Sequence, residues 1–195
     1  MTNEEAIKKQ VALLRKGYSI GIYPDYVPLM CNECALENDK FAYRNNLGFE
    51  EISLTRLGIP EPFHRASLVG FDTPNEPEWF IVDPTYGQFF ENKKFRNYMF
   101  DNYKDFSLKL LNQGYIECTL PNMMYYINGF VFSNAYMNDI DSNLVYQKVE
   151  ELLFSNVIVN KEVQETQKRL LQLLQLKAKI IQQSNKEISS HKSKS

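Results

Sequence analysis

Cysteine is scarce, with three in 195 residues. An odd number argues against a disulfide-stapled secreted scaffold. The chain also lacks any apolar run approaching the roughly 20 residues of a membrane span, so no span is expected. It has no basic excess: 22 Lys and Arg stand against 24 Asp and Glu, net charge −2, and nucleic acid is not an expected partner. No internal repeat is visible. The acidic start Met1-Thr2-Asn3-Glu4-Glu5 is unlike a signal peptide. It points to a cytoplasmic protein, or one exported without a cleavable signal peptide.

What is present is globular, with 44% hydrophobic and 24% charged residues. The length fits one domain of ordinary size with room for an appendage. Charge is uneven, because residues 156–195 carry eight basic and three acidic side chains. Such a tail docks on the acidic body, is solvated, or meets an acidic partner.

Along the chain, Glu4 to Lys16 has helical spacing of Ala6, Ile7, Val11 and Leu14, with Thr2 or Asn3 as cap. Tyr18 to Leu29, broken by Gly21, Pro24 and Pro28, is an irregular lead-in to a helix that starts near Cys31. Phe49 to Leu57 alternates like a strand, and Gly58 to Pro62 is a loop. Phe63–Phe71 and Glu78–Tyr86 form a β-hairpin around Asp72–Pro77. One or two helices follow over Asn92–Asn112, then a short strand over Tyr115–Thr119 and a helix from Pro121 to about Met137. Asn143–Phe154 and Lys161–Gln183 are expected to be further helices. The apolar stripe of the last one packs on its own domain, binds a partner or self-associates. The resulting division is a core over 1–120, a helical extension over 121–188 and a disordered basic tail over 189–195.

The hairpin matters for chemistry. If Asp72 pairs with Pro77, Ala66 faces Asp83 and His64 faces Thr85. His64 and Asp83 then lie diagonally on one face, roughly 7–8 Å apart at Cβ. A carboxylate on one imidazole nitrogen leaves the other free as a base. The nucleophile to match is Cys31, since the open N–H groups of a helix N-terminus favour a thiolate. Cys34, one turn in, is expected to be a buried small residue.

The order Cys31, His64, Asp83 resembles the papain-like and transglutaminase-like superfamily. Cys31-Asn32-Glu33-Cys34-Ala35 looks like the papain-fold effectors and toxins of bacteria, some of them glutamine deamidases. Trp79-Phe80-Ile81-Val82-Asp83-Pro84-Thr85-Tyr86 is similar to the transglutaminase-like strand that ends in Asp-Pro-Thr. The resemblance implies an α+β fold with a small antiparallel sheet and a helical C-terminal extension. It implies a catalytic triad of nucleophile Cys31, base His64 and orienting Asp83. The substrate would be a protein or peptide, with no cofactor and no catalytic metal. The chain departs from papain-like proteases in having no glutamine between Tyr18 and Cys31, so the second oxyanion donor falls to Gln88 or a lead-in N–H.

Two other readings stand beside this one. Cys31, Cys34, His64 and Cys118 would make a Cys3His structural zinc set. Alternatively, the chain is a non-catalytic interaction module of degenerate papain-like fold.

Overall fold

A computed structural model describes residues 1–56, 59–74 and 77–132. The helices expected at Asn143–Phe154 and Lys161–Gln183, and the tail from Ser189, lie outside the described residues.

The fold is α+β, with a small four-stranded antiparallel sheet in the order β1-β2-β3-β4. Helix α1, Asn3–Gly17, opens with a reciprocal capping box between Thr2 and Glu5. Helix α2 spans Cys31–Arg44. Strands β1, Gly48–Arg56, and β2, Ile59–Phe71, pair next, followed by β3, Glu78–Val82. A 3-10 segment over Tyr86–Glu91 leads to α3, Lys93–Asn102, and α4, Lys104–Gln113. Strand β4, Tyr115–Glu117, and helix α5, Leu120–Phe132, complete the described fold. The segment read as a loop before His64 instead starts β2 at Ile59. Register shifts around Thr55 let Pro62 sit opposite Thr55, a ladder irregularity where proline is tolerated.

Alternation along the strands divides the core in two. Val69, Phe71, Phe80 and Val82 pack with Ile7 and Val11 of α1. Ile52, Leu54, Ala66, Leu68 and Ile81 face the opposite way, onto the 3-10 segment and α3 to α5. Helix α5 contributes Tyr126, Ile127 and Phe130 to that second cluster, so the core continues past residue 120. The indole of Trp79 lies across Gly48 and Gly70, where a Cβ would come within 2.7 Å and 2.6 Å of it. That row of two glycines and one large ring closes the sheet's end beyond Leu68.

Gly114 ends α4 at φ 73°, and its carbonyl accepts from the Asp83 N–H at 2.9 Å. A Cβ there would meet Val11 at 2.9 Å and the Pro84 backbone at 3.2 Å. Positive φ and this crowding together require glycine. Gly114→Ala is expected to lower stability by about 1–3 kcal/mol in urea unfolding. An unchanged midpoint would show that the turn relaxes freely.

Candidate active site

The β2–β3 ladder runs from Phe71–Glu78 to Ser67–Val82. Continued by one rung it sets Ala66 opposite Asp83, the register that the loop length implies. His64 and Asp83 therefore lie beyond the last rung, on the face shared with Leu68 and Ile81.

Asp83 is 1% exposed and His64 is 0% exposed. The His64 Nε2–H donates to Asp83 Oδ2 at 2.8 Å, because an ionised carboxylate can only accept. Tyr126 O–H from α5 donates to the same oxygen at 2.8 Å and lies 3.1 Å from Nε2. The other oxygen, Oδ1, accepts from the Thr85 backbone N–H at 3.1 Å and the Thr85 hydroxyl at 2.9 Å. Four donors thus converge on one buried carboxylate, which is how a buried charge avoids the penalty of going unpaired. The imidazole is also held mechanically, its ring edge-to-face with Phe89 at 4.6 Å and stacked with Phe130 at 5.8 Å.

Cys31 is the first residue of α2. Its N-cap, Met30, offers no side-chain acceptor, so the first-turn N–H groups have no side-chain cap. The His64 ring and the Arg65 backbone N–H both act on the Cys31 thiol and favour its ionised form. Burial pushes the thiol up. The bond and charge of His64, with the Arg65 amide, outweigh burial against the opposing charge of Asp83, and the thiol falls below its ordinary 9.0. For His64, burial acts downward. The charge and hydrogen bond of Asp83, aided by Cys31, overcome it and raise the ring to about 9. A lowered thiol beside a raised imidazole favours the thiolate–imidazolium pair over the neutral pair.

With Nε2 committed to Asp83, Nδ1 is the ring nitrogen left for the thiol. The Gln88 side-chain nitrogen is 3.0 Å from Nδ1. In the neutral ring Gln88 donates to Nδ1. In the imidazolium both groups are donors, so the amide must release that contact or turn its oxygen inward.

Cys34 is 2% exposed and packs with Leu14, Ile20 and Val27, as its place on the inner side of α2 implies. Burial pushes it up to about 12. The Cys3His zinc set does not assemble. Among the described residues, no three His, Cys, Asp or Glu side chains are grouped to hold a metal ion. Cys118 sits after β4, its N–H bonded to the Trp79 carbonyl at 2.7 Å. Both His64 nitrogens already have protein partners.

Helix α2 is tied down by a buried polar line. Asn38 donates to Ser67 on β2 at 3.1 Å and accepts from Gln10 on α1 at 3.3 Å. Asn38 shares its face of α2 with Cys31, seven residues earlier, so this line sets the helix against the strand that carries His64. Two clefts, of about 550 and 310 Å³, open between α1 and α2 around Gln10, Leu13 and Phe41. Neither touches the triad. Of the three residues only Cys31 reaches the surface, at 9% exposure, beside a lead-in whose Tyr26 and Leu29 are exposed.

Sequence reasoning missed Tyr126 and the Arg65 amide. Tyr126 has no local signal, lying 43 residues past Asp83, and a backbone N–H carries no residue signature at all. Thr85 could have been found, since Asp-x-Thr is a recurrent side-chain-to-backbone turn.

No membrane-spanning helix occurs among the described residues. Comparison of the chain with protein-family models, curated proteins and solved structures returned no match.

Proposed function

We propose that the protein is a thiol-dependent amide-bond enzyme of papain-like or transglutaminase-like type. The observation that carries this reading is a buried His64–Asp83 hydrogen bond, with the His64 ring acting on the Cys31 thiol at the start of α2.

The Cys31 thiolate attacks an amide carbonyl carbon and forms the C–S bond. The carbonyl oxygen becomes an oxyanion facing the first-turn N–H groups of α2. Gln88, released from Nδ1 when the ring is protonated, is the candidate second donor. The imidazolium gives its Nδ1 proton to the leaving nitrogen, the C–N bond breaks, and a thioester remains. Neutral His64 then takes a proton from water or from an amine as that group attacks the thioester. The C–S bond breaks and the pair is restored. Water as acceptor makes the enzyme a protease or a glutamine deamidase, and an amine makes it a transglutaminase. The substrate is a protein or peptide presented to the exposed lead-in beside Cys31.

The pH dependence has a defined sign. Reactivity rises as Cys31 loses its proton, which occurs below the ordinary 9.0. The proton-donating step declines as His64 loses its proton at about 9. Turnover of a glutamine-containing protein is expected to be bell-shaped, with its upper limb near 9. Measuring ammonia release, amine incorporation and chain cleavage across pH identifies the acceptor. A profile that rises steadily through 9 would contradict the assignment of His64.

One observation favours a non-catalytic interaction module: the cysteine that carries the thiol is only 9% exposed. A native protein that resists a small thiol probe would decide for that reading.

A further inference from the structure

We infer that Tyr126 is a positioning residue that sets the strength of the Asp83–His64 pair by sharing the carboxylate oxygen on which His64 depends. The inference rests on the proposed reading of the site.

The three polar atoms form a closed triangle. Tyr126 Oη is 2.8 Å from Asp83 Oδ2 and 3.1 Å from His64 Nε2, which is itself 2.8 Å from Oδ2. Two protons, one from the phenol and one from the ring, therefore converge on one oxygen. Tyr126 is 0% exposed, so its hydroxyl has no bulk water to turn to. A phenol that merely satisfied itself in a core could use any carbonyl. This one bonds the acceptor that holds His64, and its lone pair faces the same N–H. Burial and the charge of Asp83 raise the phenol well above 10, so it stays a neutral donor throughout the working range.

Placement reinforces the role. Helix α5 carries none of the triad, yet it supplies both this hydroxyl and Phe130, which stacks on the His64 ring. Tyr86 stacks on Tyr126 at 5.7 Å and holds the phenol in place. The titratable groups facing His64 and its partner oxygen are Cys31 from α2, Asp83 after β3, Tyr86 from the 3-10 segment and Tyr126. Glu51 and Arg65, on the neighbouring strands, pair with each other at 3.4 Å.

A donor on Oδ2 draws off part of the charge that stabilises the imidazolium. Removing it leaves His64 as the one side-chain donor on Oδ2, with Thr85 still on Oδ1. The test is the NMR titration of the His64 ring in the full chain, where the only other histidine is His191. Tyr126→Phe keeps the ring and its packing, and the His64 midpoint is expected to move up by about half to one pH unit. Should that variant not fold, 3-fluorotyrosine at position 126, a stronger donor, is expected to move the midpoint down. A midpoint that stays put or moves the other way in either protein overturns the inference and leaves Tyr126 a core hydroxyl. A wild-type midpoint near the ordinary 6.5 would instead fail the ion-pair reading of the site, so the two failures are distinguishable.

Discussion

Iodoacetamide at pH 6 is expected to label the native chain at Cys31 alone. An ordinary thiol, with a pKa of about 8.5, is only about 0.3% thiolate at that pH. A thiol lowered by His64 gains about 10-fold in thiolate for each unit of lowering. Part of that gain is offset because a less basic sulfur is a weaker nucleophile. A net advantage of about 3- to 10-fold over a free thiol remains. Cys31→Ala is expected to abolish the fast phase. Cys34→Ala should preserve it, because Cys34 is buried among Leu14, Ile20 and Val27 and pushed up to about 12. Cys118, also raised to about 12 by burial, should stay silent. Peptide mapping of the labelled protein reads the outcome, and label on Cys34 in place of Cys31 would reassign the nucleophile.

Asp83→Asn should have the second large effect. The substitution keeps the volume and removes the charge. His64, fully buried, then has its desolvation uncompensated, and its pKa falls from about 9 to below the ordinary 6.5. Cys31 loses an unfavourable charge at the same time, since Asp83 opposes the thiolate directly. That relief is the smaller effect, because the bond and charge of His64 act on the thiol more strongly than Asp83 does. The thiol pKa should therefore rise, and labelling at pH 6 should slow by about 3- to 10-fold. Stability should drop by about 2–4 kcal/mol in urea unfolding, because a buried ion pair has lost one partner. A variant that labels like the wild type would show that the carboxylate does not govern the thiol.

These effects trace to parts of the molecule that differ in how visible they were beforehand. The hairpin was legible because alternation in Phe63–Phe71 and Glu78–Val82 is strong and an even loop leaves one register. That register put His64 and Asp83 on one face before any coordinates. The start of α2 was legible from the lead-in broken by Gly21, Pro24 and Pro28. Gly114 announced the end of α4. The beginning of β2 was not legible, since Pro60 and Pro62 speak for a loop unless the ladder irregularity at Thr55 is known. Tyr126 was hidden for a different reason. Its aromatic neighbours make it look like any core residue of α5, and only tertiary packing brings its hydroxyl to Asp83. The contribution of the Arg65 amide is equally invisible, because it depends on where α2 begins relative to β2 and not on the identity of residue 65.

The account stands on the thiolate–imidazolium pair, and one titration tests it most directly. In a Cys34→Ala, Cys118→Ala chain, Cys31 is the only thiol, so the ultraviolet absorbance of the thiolate reports it alone. The account predicts thiolate formation at a pH clearly below 8.5 to 9, lost when His64→Ala is added. Ionisation at or above the ordinary thiol value, unmoved by that substitution, would contradict it.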